Sequence, residues 1–193
     1  MLPPRLQAIR GMAMELHHGQ KHGRTTTMEA HLRRVWQAVR DAGGSESMQI
    51  VAWLHESVRK GRWGRSDLEA AGLPPEEVRA VFLSFEDRVS TPRARRMDPE
   101  TQRSFRWLGV CRHGNPEPPL TDRETAAPVR IACRLICAKQ AWGCHNPVLF
   151  RYREEHRRFR KALYPWLMGD QKNIGAELDR VLDWEQPRTN GRL

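Results

Sequence analysis

A histidine and a glutamate, His55 and Glu56, stand side by side in the apolar segment VAWLHES, which covers residues 51–57. A leucine or an alanine would pack there with less trouble, because burial strips polar side chains of their hydration. An imidazole nitrogen and a carboxylate oxygen can both ligate a metal, so the doublet is a candidate part of a metal site. The alternative interpretation is a hydrogen-bonded histidine at the edge of the core beside a solvated glutamate.

Two further segments carry side chains of similar chemistry. HHGQKHGRTTTMEAH includes His17, His18 and His31, and RIACRLICAKQA places Cys133 at the centre of an apolar stretch. A thiolate is a soft ligand that favours zinc over manganese or magnesium, which prefer oxygen. The alternative is that Cys133 packs as a small hydrophobic residue. The spacing C-x3-C-x6-C-H, from Cys133 to His145, is also a candidate pattern for a structural zinc site, although zinc ribbons and fingers use tighter spacings.

Apolar residues at helical spacing predict the elements that carry these segments. One stripe follows the spacing i, i+3, i+4, i+7 and comprises Leu32, Val35, Trp36 and Val39. Gly43 and Gly44 predict the end of that helix, and Ser45 or Ser47 is a candidate cap for the next one. We expect His55 on the inward side of this second helix, whose stripe comprises Val51, Leu54 and Val58.

The helical pattern continues along the rest of the chain. Two candidate capping boxes, at the starts of a short helix and of a later long one, are Ser66 with Glu69 and Thr121 with Glu124. Gly72 predicts the end of the short helix, and the prolines at 74 and 75 predict the start of the next. A basic loop is predicted at 87–97, and further helices at about 98–111, 122–142, 148–168 and 174–184.

Pro128 lies in the first part of the predicted helix 122–142 and is expected to delay its start. The sequence shows no sustained period-two alternation, internal repeat or linker. It therefore predicts an all-α fold, a single-domain helical bundle over residues 1–193.

The charge and the cysteine content limit the partners and the cellular compartment that we expect for this protein. The 193 residues include 33 Lys and Arg against 23 Asp and Glu, a formal charge of +10. Such a surface attracts phosphates, nucleic acid or acidic partners. The sequence has no secretory leader pattern and no apolar run near the ~20 residues that span a bilayer. We therefore expect a cytoplasmic protein without membrane association, whose four cysteines are free thiols or ligands.

The basic residues fall into two sets. One set flanks the candidate ligands and suits phosphate binding; it comprises Lys21, Arg24, Arg59, Lys60 and Arg134. The other lies on the predicted helix 148–168, interleaved with glutamates, and is interpreted mainly as a solvated face. A nucleic-acid-binding stripe on that helix is the alternative.

The order of the three segments resembles that of the HD superfamily of metal-dependent phosphohydrolases, and most closely the RelA/SpoT-type hydrolases of guanosine tetraphosphate. The run H18-G-Q-K-H-G followed by His31 is similar to their opening motif, H-x-G-Q-x-R-x-x-G…H. VAWLHES is similar to their apolar-L-H-D doublet, and IACRLICA to a late K-L-A-D-R-L segment. The likeness spans about residues 10–165, which it implies are the core of an HD-like domain, with a C-terminal helix at 174–184 beyond it.

The resemblance implies a site and a ligand class. It implies a divalent metal, manganese or zinc, held by His31, His55, Glu56 and Cys133. It also implies a nucleotide or another phosphorylated small molecule as substrate, contacted by His18, Lys21, Arg24, Arg59, Lys60 and Arg134.

Three departures from the family pattern leave the activity open. Glu56 stands where the family has aspartate, Cys133 stands at the late aspartate, and Arg59-Lys60 replaces an acidic pair that serves the attacking water. A protonated lysine or arginine cannot accept a proton from water at neutral pH. One expectation is therefore a working phosphohydrolase, and the other is a degenerate, non-hydrolytic domain that binds a nucleotide, nucleic acid or protein partner. No catalytic base is assigned.

Overall fold

The computed structural model describes residues 2–23, 26–58, 62–84 and 119–183. Within these ranges the chain is mostly helical, and the predicted all-α fold is confirmed. The predicted loop at 87–97 and the predicted helix at 98–111 lie outside the described residues. No helix in the described ranges is both long and apolar enough to cross a bilayer.

The described ranges contain eight α-helices, two short 3-10 helices and one pair of two-residue strands. The α-helices are α1 (Pro4–Leu16), α2 (Met28–Asp41), α3 (Glu46–Leu54), α4 (Arg65–Ala70), α5 (Pro75–Ser84), α6 (Leu120–Gly143), α7 (Val148–Leu163) and α8 (Lys172–Val181). The 3-10 helices cover Tyr164–Trp166 and Gly169–Gln171. Strands β1 (Lys21–His22) and β2 (Thr26–Thr27) pair antiparallel, with Lys21 opposite Thr27.

Helix α6 is the centre of the bundle and packs against α2, α3, α5, α7 and α8. Its middle section is buried on all sides, and Ile131, Ala132 and Leu135 are at most 1% exposed. Pro128 lies inside this helix and does not delay its start, contrary to the sequence-based expectation. Proline removes one backbone donor and crowds the preceding turn, so packing on every side keeps the helix continuous through this residue.

Helices α2 and α3 begin at side-chain caps and bury the predicted stripes. Thr27 Oγ1 accepts a hydrogen bond from the backbone N–H of Ala30 (3.2 Å), and Ser45 Oγ accepts one from Met48 (3.3 Å). All four residues of the α2 stripe are buried. Helix α3, however, ends at Leu54. The doublet therefore lies in the tight turn that follows the helix.

Both predicted capping boxes are wrong. Helix α4 begins after Gly64, whose N–H donates to the Asp67 carboxylate at 2.7 Å. Asp67 is three residues after Gly64 and so occupies the position from which a side chain reaches back to the cap. Helix α6 begins after Pro119, one residue before the proposed Thr121 cap. The carbonyl oxygen of Pro119 accepts a backbone hydrogen bond from the N–H of Asp122 at 3.1 Å, and no side chain caps this helix.

The last two predicted helices are shorter than expected. Helix α7 ends at Leu163 and is followed by a 3-10 turn that contains Pro165, which lacks the N–H that would donate to the carbonyl of Lys161. Helix α8 covers Lys172–Val181 instead of 174–184, and residue 184 lies outside the described residues.

Candidate metal centre

Four potential ligands, carried by α2, by α6 and by the turn after α3, meet in the interior of the bundle. His31 comes from α2, His55 and Glu56 follow the end of α3, and Cys133 comes from the centre of α6. One ligand atom from each lies within 4.8 Å of the others, and none of the four residues is more than 4% exposed. We call these four residues the primary ligand group; they are close enough to hold a metal ion.

Two distances inside the primary ligand group, both from His31 Nε2, are those expected of tetrahedral coordination. Zinc binds imidazole nitrogen at about 2.05 Å and thiolate sulfur at about 2.3 Å, so a tetrahedral angle sets two nitrogens about 3.3 Å apart and nitrogen and sulfur about 3.6 Å apart. In this structure His31 Nε2 lies 3.3 Å from His55 Nε2 and 3.7 Å from Cys133 Sγ. Both separations therefore match those of a tetrahedral metal site.

The backbone fixes the ring of His55 in the form that a metal requires. Its Nδ1–H donates to the carbonyl oxygen of Ala52, one turn back in α3, at 2.8 Å. The lone pair of the neutral ring is then on Nε2, which faces His31. Burial lowers the pKa of His55 and outweighs the opposing effect of the Glu56 carboxylate, so the ring is neutral at neutral pH.

His17 was not among the predicted site residues, and it lies close enough to Glu56 for that carboxylate to affect its pKa. Gln20 Nε2 donates to the carbonyl of Leu16 at 2.7 Å, which leaves Gln20 Oε1 to accept from His17 Nδ1–H at 3.1 Å. His17 Nε2 therefore carries the lone pair; it is buried and has no hydrogen-bond partner in the described part of the chain. Burial lowers the pKa of His17, against smaller opposing effects of Gln20 and Glu56.

A second set of potential ligands adjoins the first. His22 from β1, Cys137 from α6 and His31 each offer an atom within 4.8 Å of the other two. We call these three residues the second ligand group; it shares His31 with the primary ligand group. No role was predicted for His22, whereas Cys137 was considered only as part of the C-x3-C-x6-C-H zinc pattern. Its spacing of one helical turn from Cys133 was the signal that linked the two cysteines.

The predicted phosphate contacts fall in different surroundings. His18 is exposed beside Glu29, and Lys21 is exposed on β1. Arg134 is buried, and its guanidinium lies over the ring of Phe159 at 4.0 Å. It also donates to Glu155 at 3.1 Å and lies over a second ring, that of Tyr152. Contact of these residues with a phosphate stays a prediction, and three further candidates lie outside the described residues: Arg24, Arg59 and Lys60.

The residues of the C-x3-C-x6-C-H pattern do not come together as one zinc site. Cys144 is exposed, and neither it nor His145 belongs to a ligand group within the residues described. Cys133 and Cys137 belong instead to the two ligand groups around His31.

Fold and site together define a class of protein: an all-α protein with a buried His/Glu/Cys cluster that could hold a metal ion. Comparisons with models of known protein families and with curated proteins find no match to this chain.

Proposed function

We propose that this protein is a metal-dependent phosphohydrolase of the HD type that acts on a nucleotide or another phosphorylated small molecule. The observation that carries the proposal is the convergence of the primary ligand group, with nitrogen–nitrogen and nitrogen–sulfur distances of 3.3 and 3.7 Å. The order of these ligands along the chain, together with the helical fold, supports the HD type.

The primary ligand group would hold the cation through two imidazoles, one carboxylate and one thiolate. A bound divalent cation would polarise a phosphoryl oxygen and lower the pKa of water. Glu56 supplies negative charge at a buried position, where the low dielectric strengthens its attraction for a cation. The hydrogen bond from His55 to Ala52 orients the ring beforehand, so binding does not have to order it.

His17 is the residue that we propose accepts the proton of the attacking water. Hydrolysis needs a group that takes this proton within hydrogen-bond reach, and Arg59-Lys60 cannot do so. The Nε2 atom of His17 has its lone pair available because Nδ1 donates to Gln20. The lowered pKa keeps the ring neutral at neutral pH and therefore able to accept a proton.

A specific observation favours a second candidate, a metal-holding domain that binds a phosphorylated ligand without hydrolysing it. All four members of the primary ligand group are buried protein side chains. If all four ligate one tetrahedral zinc ion, no coordination position is open to water or substrate. Such closed sites are typical of structural zinc, whereas catalytic sites keep a position open.

The two candidates are separated by one set of measurements on the full chain. Elemental analysis would give the metal content, and phosphate release from a nucleotide panel that includes guanosine tetraphosphate would be measured with zinc and with manganese. The matched variants are His17→Gln and His55→Asn. Under the hydrolase proposal, His17→Gln lowers turnover and leaves the metal affinity unchanged, whereas His55→Asn lowers both.

The possible results lead to different conclusions. Metal-dependent turnover that His17→Gln reduces supports the hydrolase and the role of His17. Bound metal and nucleotide binding without turnover would support the second candidate instead. A purified chain that binds neither zinc nor manganese would contradict both.

A further inference from the structure

The second ligand group brings together residues that the primary ligand group does not use. His22 lies on β1, at the hairpin that precedes α2, and Cys137 lies on α6 one turn beyond Cys133. Residues four apart on a helix share a face, so the thiols of Cys133 and Cys137 both lie on the side of α6 that meets His31. The two groups thus adjoin each other across one imidazole.

The hairpin holds His22 against His31. Their rings stack with centroids 3.8 Å apart and planes within 6° of parallel. Because each lone pair lies in its own ring plane, joint ligation of one cation requires the His22 ring to rotate out of this stack. The register that pairs His22 with Thr26 fixes the backbone at this point. His22 Nδ1 is buried, yet it has no hydrogen-bond partner in the described ranges. Buried polar atoms usually have a partner, and a cation would provide one here.

The donor atoms define the class of cation. The second ligand group offers imidazole nitrogen and thiolate sulfur and contains no carboxylate. Such a set suits thiophilic cations of the zinc class, with cadmium as a spectroscopic substitute, over magnesium, calcium or manganese. His22 and Cys137 are half-buried, whereas the primary ligand group is fully buried, so a cation from solvent reaches the second ligand group more easily.

We propose that His22, His31 and Cys137 form a second binding position for a thiophilic divalent cation, next to the primary ligand group. A neutral imidazole has one lone pair, so His31 ligates one ion at a time. The two positions therefore compete for His31. The second position stays functional when the primary group is disabled at Cys133, so it does not depend on the hydrolase proposal.

Cadmium titration of the metal-free full chain tests this proposal, because each cadmium–thiolate bond adds ultraviolet charge-transfer absorption. Cys133→Ser removes the primary thiol and keeps Cys137. We expect this variant to retain a cadmium–thiolate band, and we expect the added substitution Cys137→Ser to abolish it. His22→Asn in the same background should weaken cadmium binding about tenfold or more. The matched control is Cys144→Ser, which changes an exposed thiol outside both groups and should leave the band intact.

A second measurement uses two backgrounds that each disable the primary ligand group, Cys133→Ser and His55→Asn, because in the unmutated chain that group competes for His31. Alkylation of each cysteine is followed by peptide mass spectrometry with and without zinc. Zinc should slow alkylation of Cys137 at least about tenfold and leave exposed Cys144 unaffected. The proposal is overturned if Cys133→Ser folds but shows no cadmium–thiolate band, if its band survives Cys137→Ser, or if zinc leaves Cys137 alkylation unchanged in either folded background. The opposite variant, Cys137→Ser, keeps Cys133 and reports on the primary ligand group separately, so each position can fail by itself.

Discussion

Replacement of His55 by asparagine should weaken zinc binding far more than it weakens the fold. The side chain of His55 is fully buried; it donates to Ala52 through Nδ1 and faces His31 through Nε2. His55→Asn keeps a polar side chain of smaller volume at this position but withdraws the ligand atom. The primary ligand group is then reduced from four potential ligands to three.

The magnitude follows from the number of ligands. Structural zinc sites contribute an apparent binding free energy of about 10–16 kcal/mol, so each of four ligands accounts for about 3 kcal/mol. Loss of one ligand therefore corresponds to an increase in Kd of about two powers of ten. The lost hydrogen bond to Ala52 adds about 1 kcal/mol to the cost in folding stability.

The matched control is His156→Asn. His156 is also fully buried and donates a hydrogen bond, from Nε2 to Asp179 at 2.6 Å, but it belongs to neither ligand group. Both variants should lose comparable folding stability in urea unfolding of the metal-free chain. Zinc affinity, measured by competition with a chromophoric chelator, should fall about 100-fold for His55→Asn alone. Equal loss of affinity in the two variants, or a change below about threefold in His55→Asn, would refute the assignment of His55 as a ligand.

Three further predictions concern pH, metal preference and an ion pair. Stability of the metal-free chain should decline as the pH falls below about 6.5, the unfolded pKa of histidine, because burial lowers the folded-state pKa of His17, His55 and His156. Each contributes a slope of at most about 1.4 kcal/mol per pH unit, so urea unfolding that is flat between pH 7.5 and 5.5 would contradict the expectation. Cys133→Asp should move the preference from zinc towards manganese, since a hard oxygen replaces a soft sulfur; an unchanged ratio of the two affinities in competition titrations would count against Cys133 as a ligand. Asp122→Ala should cost about 2 kcal/mol in unfolding free energy, because a buried carboxylate accepts two hydrogen bonds from Arg79, at 2.6 and 3.2 Å, and a cost under about 0.5 kcal/mol would show that water replaces the pair.

The sequence alone determined the helical fold and many of the positions at which helices begin and end. The α2 stripe, the Ser45 cap and the break at Gly72 depend on residues within a few positions of one another, so periodicity and side-chain chemistry predict them. At other helix starts, neighbouring polar side chains compete for the same capping contacts, and the predicted caps were wrong. Asp67, and neither Ser66 nor Glu69, makes the capping contact of α4, because several polar side chains in one turn can satisfy the same backbone donors.

Only the tertiary structure decided which side chains meet at the site. His31 and His55 are 24 positions apart, and Cys133 is a further 78 positions along the chain from His55. Periodicity predicts which face of a helix is buried but not which helix packs against that face. The family resemblance therefore predicted this grouping, and the packing of α2, α3 and α6 brings the four side chains together. His22 reaches His31 through a hairpin of two-residue strands, which is too short for a period-two signal. Arg134 lies among Tyr152 and Phe159 because α7 packs on α6, a long-range contact that no local pattern of charge could show.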